Sequence, residues 1–491
     1  MDSVLVVVYS ACVGLLALWG LHRLALWRGF RGSVWFGNLS GGPPPAAAHG
    51  DPGDLPQVTV QLPIFNERTV VERLIHAAGA LDYPADRLEI QVLDDSLDET
   101  RDLAAQAVAV LRARGLDAIH LFRSDRTGFK AGALDAGMRR AKGELIAVFD
   151  ADFVPPPDFL RRLVGEFRAP GVGMVQARWG HLNRDDSPLT RAQATLLDGH
   201  FVIEHTARAA AGLFFNFNGT AGIWRRTAID DAGGWQHDTL TEDLDLSYRA
   251  QLAGWRFVYR PDVVAPAELP ADVAAFKGQQ RRWARGSAQV LRKLGPSILR
   301  SPQPLRVKVE AIAHLAGNVG YPLVLLLAIS MPVAIQLRGS FGHLLHGLGF
   351  LVCTGSVVLF YGASQAALGR SRRNRWTDVP VGIAAGVGMA ISQTEAVARG
   401  LFQRAAGVFV RTPKRGDGAR RAYSGRLAEL PGLELLLALW IAVATVDALR
   451  LGRWGALPFL LLFLAGFGWI GWLSLRDALR GPRDQAAVSA A

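Results

Sequence analysis

Cysteine is nearly missing from this sequence, with only Cys12 and Cys353 among 491 residues and both inside apolar runs. That excludes a disulfide framework and a cysteine-based zinc site, and it makes the two thiols small hydrophobes. Charge is thin as well, at 20% of residues against 50% hydrophobic. A disordered, collagen-like or heavily solvated repeat protein is ruled out by that balance, and membrane segments come into view. Acidic residues are the scarcer sign, leaving a net charge of +11. The excess is local, because residues 370–427 hold twelve Lys/Arg against three Asp/Glu. A nucleic-acid tail would interleave stacking aromatics with its basic residues. This segment instead lies between hydrophobic stretches, the pattern of a cytoplasmic loop, and no nucleic-acid partner is expected.

The chain is longer than one compact domain usually needs, and it divides by composition. Val4 to Leu26 is almost uninterrupted apolar sequence, enough for a span that needs about 20 helical residues. Asp2 precedes this run and His22, Arg23, Arg28 and Arg31 accompany or follow its end, so it reads as an anchor at residues 1–30 with its basic end in the cytoplasm. A Gly/Pro/Ala linker covers 31–56, and 57–300 has the composition of a water-soluble α/β domain. Two spans, Ile312 to Ile335 and Phe341 to Leu368, form a hairpin within 301–369. Residues 370–428 read as cytosolic and interfacial, 429–476 as a second hairpin despite Glu434, and 477–491 as a cytosolic tail. The expected placement is a multi-pass protein with a cytoplasmic soluble domain, in a bacterial plasma (inner) membrane by its Ala/Arg/Gly content, or in a Golgi membrane if eukaryotic.

Within the soluble part, VTVQLPI, LEIQVLDD, IHLFR and ELIAVFD alternate with amphipathic stretches. The alternation predicts a mostly parallel, Rossmann-like sheet that binds ligands at the carboxyl ends of its strands. The polar residues fall there. Asp150 and Asp152 close one apolar strand, where a period of two points both carboxylates to one side. Two hard oxygen donors suit Mg²⁺ or Mn²⁺ bound together with phosphates, although an Asp-x-Asp also occurs in solvated loops. Asp94 and Asp95 end another strand, placed to accept from nucleotide hydroxyls or a base, with helix capping by Ser96 and Asp98 as the plainer role. Lys130 follows Gly128 at the start of a small-residue helix and can reach a diphosphate.

Thr241 is explained as a helix cap, but the acids that follow it, Glu242 and Asp243, are not. A carboxylate there is a candidate general base. In Gln279-Gln280-Arg281-Arg282-Trp283, Gln279 and Arg282 share a helical face beside an indole suited to stacking on a sugar ring. An interfacial Trp and Arg pair anchoring lipid would look the same taken alone.

Taken together, VLDDS, FDAD, TED and QQRRW, in this order between one apolar segment and a later group, resemble the processive family 2 glycosyltransferases. QLPIFNE, RTGFKAGAL, FDADFVPPPDFL, VQARW, FNFNGTAGIWR and GWRFVY are similar to the cellulose-synthase-like A and C branch of mannan, glucomannan and glucan synthases. The resemblance implies a GT-A fold between transmembrane helices. It also implies a metal-dependent, inverting hexosyltransferase that builds a β-1,4-linked hexose polysaccharide and threads it through its own spans. By the same resemblance Asp94 and Asp95 bind the nucleotide and Lys130 the diphosphate. Asp150 and Asp152 are the metal pair, Asp243 the catalytic base beside Glu242, and Gln279, Arg282 and Trp283 hold the acceptor end and the diphosphate. FVRTPK resembles a gating loop acting through Phe409, Thr412 and Lys414, with Arg411 where cellulose synthases commonly have a small apolar residue. The implied cofactor is Mg²⁺ or Mn²⁺. The implied partners are GDP-mannose, GDP-glucose or UDP-glucose, a growing polysaccharide and membrane lipid. A lipid-directed single-addition transferase of the ceramide-glucosyltransferase kind is the alternative, and a non-catalytic nucleotide sensor a weaker one.

Overall fold

The computed structural model describes residues 2–36, 39, 55–336, 340–403 and 431–479. Seven strands make one sheet: β1 (Val58–Ile64), β2 (Leu88–Asp94), β3 (Asp117–Phe122), β4 (Leu145–Val148), β5 (Val172–His181), β6 (Gly222–Arg225) and β7 (Arg256–Ala267). Their order is β3-β2-β1-β4-β6-β5-β7. Pairing is parallel except at β6, which runs antiparallel to both β4 and β5. The mostly parallel α/β sheet expected from the sequence is therefore present, flanked by long apolar helices.

The period of two divides the core. Val58, Val60, Leu62 and Ala147 face one apolar layer, while Ile146 and Val148 face the other with Leu134, Met138 and Trp224. Between them β1 and β2 carry a buried polar ladder, in which Thr59 Oγ1 donates to Glu89 at 2.6 Å and Gln61 meets Gln91 at 3.1 Å. The Phe129–Met138 helix covers that ladder because its residues are small; a Cβ on Gly137 would lie 2.5 Å from Gln61 Nε2. This close seating fixes the start of the same helix, where Gly128 has φ +76° and Phe129 the unusual φ +50° for a side-chain-bearing residue. Lys130 is thereby aimed over the carboxyl ends of the strands.

Four helices are long and apolar enough to cross a membrane by length and composition: Val7–Arg31, Gly347–Ala367, Gly432–Arg450 and Trp454–Leu479. The region of the expected span Ile312–Ile335 is a helix pair, Leu305–Leu315 and Gly317–Val333, bent by 52° and apolar enough to cross only when taken together. Gly317 and Gly320 at the break explain it, since glycine weakens helix continuity. The stretch expected to be interfacial is a second pair bent by 52°, Arg372–Gly388 and Ala390–Phe402. Its first half packs on the Leu457–Leu479 helix and its second on the Val273–Arg300 helix.

Candidate active site

At the carboxyl ends of β1, β2 and β4 an open cavity is lined by Phe65, Asp95, Arg126, Lys130, Asp150 and Asp152 on one side, and by Glu242, Asp243, Gln279, Arg282 and Trp283 on the other. Residues from widely separated stretches of chain thus meet at one place. Lys130 Nζ lies 2.5 Å from Asp150 Oδ1 and donates to the Gly219 carbonyl at 2.8 Å. Burial opposes the lysine's charge, but Asp150 and Glu242 outweigh it and raise its pKa. It remains a cation poised over the acids.

The strand reading of Asp150 and Asp152 is corrected by the structure. β4 ends at Val148, and the two carboxylates stand in a turn closed by Phe153 N donating to Asp150 O at 3.0 Å. The strand stops early because its antiparallel partner β6 is only four residues long. Both still line the cavity, and the Asp150 amide is tied to Thr220 Oγ1 at 2.9 Å.

Among the described residues there is no group of three or more His, Cys, Asp or Glu able to hold a metal ion. Two carboxylates, one of them already attracting an ammonium, are a donor set that Mg²⁺ or Mn²⁺ fits when phosphate oxygens and water complete its shell.

Glu242 and Asp243 open the Glu242–Leu252 helix. The Leu244 amide donates to Asp243 Oδ1 at 2.8 Å, and Ser247 Oγ to the Asp243 carbonyl at 2.6 Å. Burial, then the neighbouring Glu242, raise the Asp243 pKa to about 7. Gly219 lets this carboxylate sit close to Lys130: with φ +81°, its Cβ would lie 2.9 Å from Asp243 Oδ2. The Val273–Arg300 helix, which carries Gln279, Arg282 and Trp283, is brought against the same region through Gly286, whose Cβ would be 2.4 Å from Thr241 Cγ2. Trp283 stands 6.3 Å from Trp179, itself edge-on to Phe153 at 5.2 Å. Together they form an aromatic wall.

Asp94 and Asp95 have opposite fates. Asp94 is wholly buried, accepts from the Ser96 amide at 2.8 Å and pairs with His120 at 2.8 Å, and it does not line the cavity. Those two partners tie the end of β2 to its neighbours. Asp95 does line the cavity, and Arg123 grips it at 2.8 and 2.6 Å. Phe409, Thr412 and Lys414 lie outside the described residues. Sequence reasoning passed over Arg126, Trp179, Asn218 and Gly219, all cavity residues. Asn218 is held by His205 at 2.8 Å and His200 at 3.1 Å. The signal was their position inside the strings RTGFKAGAL, VQARW and FNFNGTAG.

Residues 56–286 match the family described as glycosyltransferase like family 2. Glucomannan 4-beta-mannosyltransferase 2 of Arabidopsis thaliana is 42% identical over 304 residues, covering 58% of this chain and 57% of that protein. Glucomannan 4-beta-mannosyltransferase 1 of Oryza sativa subsp. japonica is 40% identical over 293 residues, covering 56% of each. The chain spans a little over half the length of these curated relatives. Among solved structures, a mannosyltransferase from Pyrobaculum calidifontis in complex with GDP-Man and Mn²⁺ superposes with a TM-score of 0.56 at 23% identity, over 80% of this chain and 99% of its own. That likeness shows the fold.

Proposed function

We propose, from the premise that residues 56–286 are a family 2 glycosyltransferase domain of the mannan and glucan synthase kind, that the chain polymerises a β-1,4-linked hexose polysaccharide. It takes mannose, or glucose, from a nucleoside diphosphate and works inverting and processively in a membrane. The carrying observation is the meeting of Lys130, Asp150, Asp152 and Asp243 in one cavity walled by Trp283. GDP-mannose is the leading donor because the relatives at 40 and 42% identity are named mannosyltransferases. Bacterial placement rests on composition alone, whereas those relatives are plant proteins; in either membrane the soluble lobe faces the cytosol.

The roles follow from charge and position. Asp243 takes the proton of the acceptor hydroxyl as its oxygen bonds to the anomeric carbon from the face opposite the phosphate. The carbon–phosphate oxygen bond breaks, inverting an α-linked donor to a β-linked product. Lys130 meets the negative charge that collects on the departing diphosphate. A divalent cation held by Asp150 and Asp152 would neutralise more of that charge. Gln279, Arg282 and Trp283 orient the acceptor sugar, converting an encounter into a positioned attack.

Membranes carrying the full chain, incubated with radiolabelled GDP-mannose, GDP-glucose and UDP-glucose plus Mn²⁺, should yield a long polymer that an endo-β-1,4-mannanase or glucanase digests. Asp243→Asn should lower the rate by about 10² to 10⁴ while leaving donor binding intact. Chelation should abolish synthesis and Mn²⁺ or Mg²⁺ restore it. A single-sugar lipid product, or full polymer synthesis by Asp243→Asn, would overturn the assignment.

A further inference from the structure

We propose that Arg126 reads the base of the sugar donor and selects guanine; this deepens the reading above and rests on the cavity taking a nucleoside diphosphate. Arg126 lines the cavity with its guanidinium carbon 3.3 Å from the centre of the Phe65 ring and 5.1 Å from that of Phe129. Among the described residues it has no hydrogen-bond or ion-pair partner, and its Nε is shut away from solvent. The nearest acid is already satisfied, since Asp95 is held bidentately by Arg123. A planar cation stacked on a ring and left with unused donors in a cavity wall is costly unless something supplies acceptors.

Position tells which part of a donor would do so. In the sheet order, β2 and β1 stand on one side of β4, with β5 beyond β6 on the other. Phe65 follows β1 and Asp95 follows β2, so Arg126 marks that edge of the cavity. The Asp150 turn follows β4 in the middle, with Lys130 of the preceding helix against it, and Trp179 on β5 backs Trp283 at the other edge. With the diphosphate at Lys130 and the sugar toward Asp243 and Trp283, the base falls beside Arg126. Stacking on Phe65 fixes the guanidinium plane and leaves its edge to make paired N–H contacts. Guanine offers two adjacent acceptors, O6 and N7, on one edge; uracil has no such pair. Lysine would keep the charge and lose the fork.

The test measures binding of GDP, UDP and inorganic pyrophosphate, each with Mn²⁺, to the full chain in lipid nanodiscs. Wild type should prefer GDP. Arg126→Ala and Arg126→Lys should each weaken GDP roughly 10- to 100-fold, toward the affinity for UDP, while pyrophosphate stays within about twofold and certifies an intact cavity. The inference fails if Arg126→Lys keeps wild-type affinity for GDP, if Arg126→Ala weakens pyrophosphate as much as GDP, or if wild type binds GDP and UDP equally. In those cases the proposed transferase still stands. A wild-type chain that binds no nucleoside diphosphate at all removes both.

Discussion

Replacing Gly219 by alanine separates two consequences of one methyl group. The backbone here has φ +81°, a left-handed conformation that costs an alanine about 1 to 2 kcal/mol. The new Cβ would also stand 2.9 Å from Asp243 Oδ2 and 3.3 Å from Lys130 Nζ. Ordinary carbon contacts begin farther out, so the carboxylate and ammonium must retreat by a sizeable fraction of an ångström. A displacement of about 1 Å at a reacting group costs about 10² in rate, or about 2.7 kcal/mol of barrier. Gly212 supplies the control: its φ is +64°, but a Cβ there meets nothing within 4 Å. Gly212→Ala should therefore lose stability like Gly219→Ala yet keep its turnover. Thermal unfolding and initial rates of sugar transfer from GDP-mannose, measured on both variants in nanodiscs, decide it. Equal turnover in the two would refute the claim that Gly219 exists to let base and lysine approach.

Two further outcomes follow from buried charge. Lys277 Nζ is 2.6 Å from Glu434 Oε1 and 2.8 Å from Ser474 Oγ, and Glu434 is 1% exposed. Glu434→Leu should destabilise by about 3 to 5 kcal/mol by stranding the lysine, and adding Lys277→Met should recover most of that loss; denaturation of the two variants in detergent checks both. Asp94 is held below the ordinary 3.8: burial would raise it, but hydrogen bonds from His120 and Ser96 prevail. A depressed carboxylate stabilises above its unfolded pKa and loses that contribution as pH falls through the folded value. Asp94→Asn should thus cost about 1.5 to 3 kcal/mol at neutral pH, with the gap to wild type closing below about pH 4 in unfolding midpoints, and GDP affinity unchanged.

How much of this was readable depends on which interaction decides each element. β1 and β2 were legible because a buried strand must be an apolar or β-branched run, and Val58–Ile64 is the stretch VTVQLPI itself. The order of the acidic motifs also told where the cavity lies, since strand ends in a parallel sheet are where ligands bind. Period-two reasoning failed at Asp150 because pairing length is a property of the partner strand, and β6 contributes only Gly222–Arg225. At Asp94-Asp95, adjacent residues at a strand end face opposite ways, so one was bound to be inside; the sequence does not say which way the last pleat turns. Arg126 has nothing in its sequence neighbourhood to single it out, and only the approach of Phe65 from the end of β1 gives it a fixed plane. Hydropathy sums over a window and is blind to direction, so the 52° bend near the start of Ile312–Ile335 had no signature in it.

Buried charge also explains how the lobe meets the helices. Arg184 reaches Asp378 at 3.0 Å and Gln365 at 2.8 Å, and Gln365 in turn donates to Asp198, the partner of His181 on the cavity wall. Arg208 binds Glu310 at 2.9 Å, and Glu310 meets His22 of the first helix at 2.7 Å. With Lys277 and Glu434, these pairs join residues of the sheet-bearing lobe to three different parts of the apolar helices. An ion pair taken from water is tolerated only with both partners in place, so each junction resists rotation as well as separation. Their number and spread make the lobe a docked body, not a tethered one. Trp283, on the helix that Lys277 pins, consequently keeps a fixed relation to the long apolar helices. That is the condition the proposed polymerase must meet if each new sugar is to leave along the path of the last.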